Sequence, residues 1–244
     1  WSLRDKRLLV SFASLFKGSM GVSPAKPRVI DHPLVTEILT VLRDKNTPPR
    51  RFRECLIRLG EYMAYELAKL LDVEEKEVIT PLGRPAKGIR IKDRDKLVIV
   101  SVLRAAIPFS EGVLKVFPEA KQGLVSARRV EETHKPGSTD FEVEVNYVSV
   151  PKLKGDEVLV VTDPMLATGS TLLKVIKEII KAGRPRRIII LTAISTPVAV
   201  ERLLKEFKDL DLEIITASLD PVLDDRGYIV PGLGDAGDRA FGTV

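Results

Sequence analysis

Apolar residues recur along this chain with two different periods. Leu34, Ile38 and Leu42 lie four residues apart, the spacing of one helix face, with Asp31 as N-cap and Pro33 in the first turn. Pro48 and Pro49 end that pattern. A second helix is predicted over residues 51–71, with Leu56, Leu59, Met63, Leu67 and Leu70 as its apolar stripe. From Lys96 onward the pattern changes to short apolar runs separated by helical stretches. Residues 97–102, 123–127, 158–162, 188–194 and 212–217 read as strands. Residues 110–117, 171–182 and 197–207 read as helices, the middle one stopped by Gly183. Residues 141–148 alternate apolar and polar, the mark of a strand with one wet face. Nearly continuous apolar strands need cover on both faces. Their alternation with helices therefore predicts an α/β fold, a mainly parallel sheet flanked by helices.

Three segments stand outside this pattern. Residues 128–140 are polar, with Pro136, Gly137 and Ser138 at the tip, and predict a projecting β-arm; His134 on it is read as solvated. Residues 220–244 have no period yet carry Tyr228, Ile229, Val230 and Phe241, bulky enough to pack. Long irregular segments in compact domains are usually functional or disordered, and these bulky residues argue against disorder. Residues 1–19 hold four basic residues against Asp5 alone. They are read as an N-terminal extension foreign to the fold, with Met20 as the natural start and residues 20–244 as a single domain; a targeting peptide is the alternative.

Composition narrows the classes. The net charge is +5, of which residues 1–19 supply +3, leaving +2 from 35 basic and 33 acidic residues that interleave. That is a solvated surface rather than the basic stripe of a nucleic-acid binder, so no nucleic-acid partner is expected. No run approaches the roughly 20 apolar residues of a membrane span. The single cysteine, Cys55, sits in a helical pattern and reads as a buried structural residue of a protein kept reduced, in the cytoplasm. Asn46, Asn146 and Gln122 are the only amide side chains, a scarcity that, with dense charge, favours thermal stability.

The chemistry concentrates at two places. In Val158-Leu-Val-Val-Thr-Asp-Pro-Met-Leu-Ala-Thr-Gly-Ser-Thr171 a buried strand runs into Asp163, a small-residue loop and a helix. In parallel sheets ligands bind at such carboxyl ends. The loop's N–H groups and the helix N-terminus form an anion site, and Thr168, Ser170 and Thr171 add hydroxyls. A plain strand-turn-helix with hydroxyl caps is the bland reading. The P-loop signature is absent. Farther on, Gly232-Leu-Gly-Asp-Ala-Gly237 matches the dinucleotide fingerprint, but the seven residues after it hold no second strand, and that reading is set aside.

The order Asp163-Pro-Met-Leu-Ala-Thr-Gly-Ser-Thr171 resembles the phosphate motif of type I phosphoribosyltransferases in the form of the uracil phosphoribosyltransferases, where Pro164 replaces a second acid. Residues 225–242, DRGYIVPGLGDAGDRAFG, resemble that family's C-terminal signature still more closely. The resemblance implies transfer of the 5-phosphoribosyl group of PRPP (phosphoribosyl pyrophosphate) to uracil, giving UMP and pyrophosphate. It implies that Asp163 contacts the ribose hydroxyls and that the loop of Pro164, Met165, Leu166, Ala167, Thr168, Gly169, Ser170 and Thr171 holds PRPP. Ile229, Gly234, Asp235 and Ala236 would form the uracil pocket in a C-terminal hood, Asp235 facing PRPP as well. Taken singly, Arg104 and Arg129 are surface charges; by resemblance both bind the pyrophosphate side. Spacing alone does not separate Arg129 from Arg128. Mg²⁺ is implied as a companion of PRPP, bound mainly through it, with no protein metal cage. A homo-oligomer, dimer or tetramer, is implied, and an allosteric nucleotide stays open. The alternatives are a phosphoribosyltransferase for another base and a PRPP-binding regulator of the same fold.

Overall fold

The structure, a computed structural model, describes residues 26–130 and 137–243. The extension 1–19, Met20, His134 and Pro136 lie outside the described residues. Its centre is an eight-stranded sheet. The strands are β1 (Arg28–Val29), β4 (Leu97–Leu103), β5 (Lys121–Arg129), β6 (Val143–Ser149), β7 (Val158–Thr162), β8 (Met165–Leu166), β9 (Arg187–Ser195) and β10 (Leu212–Leu219). Their order is β1-β10-β9-β7-β4-β5-β6, with β8 also beside β9; β6 runs antiparallel to β5 and all other pairs are parallel.

Alternate residues of each central strand serve opposite cores. Leu97, Ile99, Val158, Val160, Ile189 and Leu191 pack under α1 (Pro33–Arg43), α2 (Pro49–Ala68) and α3 (Ala106–Val116). Val98, Val100, Leu159, Val161, Ile188 and Ile190 face α4 (Ser170–Ile180) and α5 (Pro197–Glu206). Burial on both faces is what the continuous apolar runs require. Cys55 is buried in the first of these cores, and burial raises its thiol pKa.

Two helices meet without intervening side chains. A Cβ on Gly60 of α2 would collide with the Phe109 carbonyl of α3, and one on Gly112 with the Ile57 carbonyl, so only glycine allows this approach.

The structure departs from expectation in several details. The N-cap of α1 is His32, whose Nδ1 accepts the Leu34 N–H at 3.2 Å, rather than Asp31. Helix α2 stops at Ala68, not 71, and α3 starts earlier than residue 110. A hairpin of β2 (Val73–Ile79) and β3 (Pro85–Ile91) forms its own two-stranded sheet where no element was expected. The tail is ordered into β11 (Val222–Leu223) paired with β12 (Ile229–Val230), followed by α6 (Ala236–Phe241).

Candidate active site

The carboxyl ends of β4, β5 and β7 open on one side of the sheet, and the tail folds over them. Between lies a cleft of about 380 Å³, lined by Arg104, Arg128, Arg129, Asp163, Met165, Ala167, Thr171, Tyr228, Ile229, Gly234, Asp235 and Ala236 among others. The sheet edge and the tail, 60 residues or more apart in sequence, thus share a single space.

Asp163 follows the last residue of β7 and feels the charge of Arg129. Its Oδ1 accepts the Met165 N–H at 3.2 Å. Burial pushes its pKa up to about 6, against the Met165 hydrogen bond and the charge of Arg129, which pull it down. A carboxylate this desolvated is ready for hydroxyl donors.

The phosphate loop runs from β8 into α4. Gly169 caps α4 at φ 81°, left-handed backbone that glycine adopts freely. Of the three hydroxyls, only Thr171 lines the cleft. Thr168 is fully buried and its Oγ1 donates to Ser170 Oγ at 3.1 Å, while Ser170 Oγ donates to the Thr139 carbonyl at 3.3 Å.

Arg104, just after β4, is held by the hood. Its Nη2 donates to Asp238 Oδ1 at 3.0 Å, and its guanidinium lies 5.5 Å from the Phe241 ring centre. Arg129, at the end of β5, lies 4.6 Å over the Phe141 ring and donates to the Gly227 carbonyl at 3.3 Å. Arg128 pairs instead with Glu144 on β6, across the strands, at 2.8 Å. The two arginines that spacing could not separate both line the cleft but differ in their partners: Arg129 contacts Phe141 and the Gly227 carbonyl and lowers the pKa of Asp163 by its charge, whereas Arg128 makes an exposed pair with Glu144.

The hood itself is built on backbone. Gly234 takes φ 80°, and Asp235 caps α6 by accepting the Asp238 N–H at 2.8 Å. Ile229 and Ala236 are buried beneath it. Sequence reasoning missed its anchors. Arg43 of α1 donates to both carboxylate oxygens of buried Asp220, each at 2.7 Å, and to the Gly232 carbonyl at 2.7 Å. Arg239 donates to the carbonyls of Leu42, of Leu233 at 2.6 Å and of Asp44 at 2.5 Å. The only signal for these was Asp220's position at the carboxyl end of β10. No arginine announces in sequence which carbonyl it will serve. Among the described residues no helix is long and apolar enough to cross a membrane.

The comparisons with known proteins agree with one another. The family model described as uracil phosphoribosyltransferase matches residues 29–243. A uracil phosphoribosyltransferase of Thermococcus gammatolerans is 51% identical over 87% of this chain and 91% of its own length. One of Pyrococcus furiosus is 49% identical, covering 87% of this chain and 88% of itself. A solved protein of Aquifex aeolicus superposes with a TM-score of 0.77 at 36% identity, over 88% of this chain and 98% of that one.

Proposed function

The chain belongs to the uracil phosphoribosyltransferase family, and from that premise we propose that its cleft moves the 5-phosphoribosyl group of PRPP onto N1 of uracil, in pyrimidine salvage. One observation carries the reading: the half-buried carboxylate of Asp163, loop residues Met165, Ala167 and Thr171, the arginines Arg104, Arg128 and Arg129, and the glycine-built hood all border the same cleft.

In this reading the 5-phosphate of PRPP lies on the loop N–H groups at the start of α4, where backbone dipoles favour an anion. Asp163 accepts hydrogen bonds from the ribose hydroxyls. Arg104 and Arg129 take the pyrophosphate, for which a guanidinium's permanent charge and paired donors suit phosphate oxygens. The C1′–O bond breaks, its electron pair leaves with pyrophosphate, and N1 of uracil forms the new bond from the opposite face, losing its proton. No side chain forms a covalent bond. The protein's contribution is alignment and stabilisation of the departing charge.

Mg²⁺ fits this site as a companion of PRPP. It prefers oxygen ligands, commonly one or two carboxylates beside substrate phosphates, and Asp163 and Asp235 border the cleft with oxygens of that kind. When bound it would neutralise pyrophosphate charge. A cytoplasmic homo-oligomer, dimer or tetramer, is supported by the free buried thiol of Cys55 and by Val78, Ile79, Leu82 and Ile89, apolar and exposed on the β2–β3 hairpin.

The test is a product assay with PRPP and Mg²⁺ across uracil, orotate, adenine, hypoxanthine and xanthine. UMP from uracil is the expected product. A nucleotide formed faster from any other base overturns the assignment.

A further inference from the structure

Helix α5 borders no part of the cleft, yet it holds the phosphate loop from behind. The Thr196 N–H donates to the Leu166 carbonyl at 3.1 Å, and Thr196 Oγ1 donates to the Ala167 carbonyl at 2.5 Å. Arg202, nearly two turns along the helix, donates from Nη1 to the Thr168 carbonyl at 3.1 Å. Three consecutive carbonyls of the loop therefore point back at α5. A trans peptide carries its N–H opposite its C=O. The N–H groups of Ala167, Thr168 and Gly169 are thus turned forward, away from α5, as a run of like-directed donors suited to an anion.

Arg202 does more than accept a place in this row. The same nitrogen reaches Ser170 Oγ at 2.9 Å and the Thr139 carbonyl at 3.0 Å. Its Nη2 pairs with the Asp140 carboxylate, which orients the guanidinium. The side chain is only 23% exposed, so its charge is largely committed to these partners rather than to solvent. Gly169 packs directly against it, a Cβ there falling 3.4 Å from Arg202 Cδ. The planar guanidinium spans acceptors on the loop, on α4 and on the returning arm at once; a lysine ammonium is a single point on a flexible stem.

We propose that Arg202 is a positioning residue for the 5-phosphate site: it touches no reacting atom, but by holding the Thr168 carbonyl rearward it aims the Gly169 N–H, with its neighbours, at the phosphate. The inference rests on the reading of residues 167–171 as a phosphate site.

The experiment measures ribose 5-phosphate as a competitor of PRPP in the full chain, for wild type, Arg202→Ala and Arg202→Lys. Arg202→Ala is expected to weaken ribose 5-phosphate by about 10- to 100-fold, the worth of one hydrogen bond to a charged group, and to raise KM for PRPP alike. KM for uracil stays within about twofold. Arg202→Lys keeps the charge without the fork and recovers less than half of the loss on a logarithmic scale. Added guanidinium ion restores ribose 5-phosphate binding to Arg202→Ala, a rescue that general loosening of the fold would not give. Ribose 5-phosphate affinity in Arg202→Ala within twofold of wild type overturns the proposal, as does a loss shared equally by uracil and unrescued by guanidinium. Should wild type itself fail to bind ribose 5-phosphate, the phosphate reading of the loop falls, and this inference with it.

Discussion

Asp163 is held at a cost to the fold. Its carboxyl has a pKa of 3.8 in a solvated chain and about 6 in the folded one, raised by burial. The folded state thus binds the proton more tightly. Its contribution to stability declines as pH rises from about 4 to about 6 and stays lost above. Because Asp163 keeps part of its surface at the cleft wall, the gap corresponds to a cost on the order of 1–3 kcal/mol at neutral pH. Asp163→Asn removes that charge, and at pH 7.5 it is expected to raise Tm by roughly 2–10 °C. The same variant should lower kcat/KM for PRPP by about 10- to 100-fold, since a charge-assisted acceptor for the ribose hydroxyls is lost. The wild-type profile of kcat/KM against pH should fall below about pH 6, where Asp163 takes its proton, and the variant should retain only the part due to the substrate's own phosphates. Parallel calorimetry and pH-rate measurements check both; an unchanged Tm with unchanged kinetics would leave Asp163 a strand-end residue. The arginines at the arm allow a second comparison. Arg129→Ala should weaken inhibition by pyrophosphate about tenfold or more, whereas Arg128→Ala, which loses an exposed pair with Glu144, should change it less than twofold. The opposite ranking would shift the pyrophosphate contact to Arg128.

At the scale of elements, the hood combines a legible motif with illegible supports. Gly232, Gly234 and Gly237 stand out in sequence, and two of them use the freedom: Gly232 at φ 57° and Gly234 at φ 80°. A Cβ on Gly232 would also press on the Ile229 carbonyl. A pocket made of such backbone reads the O2, N3–H and O4 edge of uracil. Cytosine presents an amino group in place of O4 and no proton on N3, so two hydrogen bonds become clashes. Sites of this kind reject analogues by roughly 10⁴ or more. Cytosine turnover should be negligible, and 5-fluorouracil, which keeps the edge, should still react. Ala236→Leu should raise KM for uracil at least about tenfold, with KM for PRPP much less affected, because Ala236 is buried at the start of α6. Steady-state kinetics with each substrate varied decides it; an unchanged KM for uracil would sink this account. The supports were hidden because they are long-range. Burial alone would raise the pKa of Asp220, but Arg43, Ser218 and the Gly232 N–H hold it below the usual carboxylate range. That stabilisation is complete above about pH 4 and is lost as pH falls through the lowered pKa. Nothing local to Arg43 in sequence indicates a partner 177 residues away.

For the whole molecule, the sheet was legible and the β2–β3 hairpin was not, for one physical reason. Strands buried on both faces are written as unbroken apolar runs, as in Val158–Thr162. The hairpin is wet, and charges such as Glu74, Glu75, Lys76 and Glu77 fall on both of its faces, so no period of two appears. Its pairing is visible only in register, where Glu74 faces Arg90. The phosphate loop was legible as a strand-to-helix junction, yet the Thr168 hydroxyl bonds to Ser170, whose own partners, Arg202 and the Thr139 carbonyl, lie 32 and 31 residues away and could not be read locally. The composition of residues 1–19 sets them apart from the rest of the chain. Removing them is expected to leave kcat and both KM values within about twofold, and a larger loss of kcat would return the extension to the functional protein. The contact of Gly60 with α3 has a consequence of a different kind. It works as a spacer gauge of zero thickness between α2 and the helix whose first turn follows Arg104. In a library of random variants screened for enzymes that no longer feel pyrophosphate, changes at Gly60 and Gly112 should recur beside those at Arg104. A geneticist mapping such hits without the coordinates would find two glycines, more than forty residues apart, behaving as one locus.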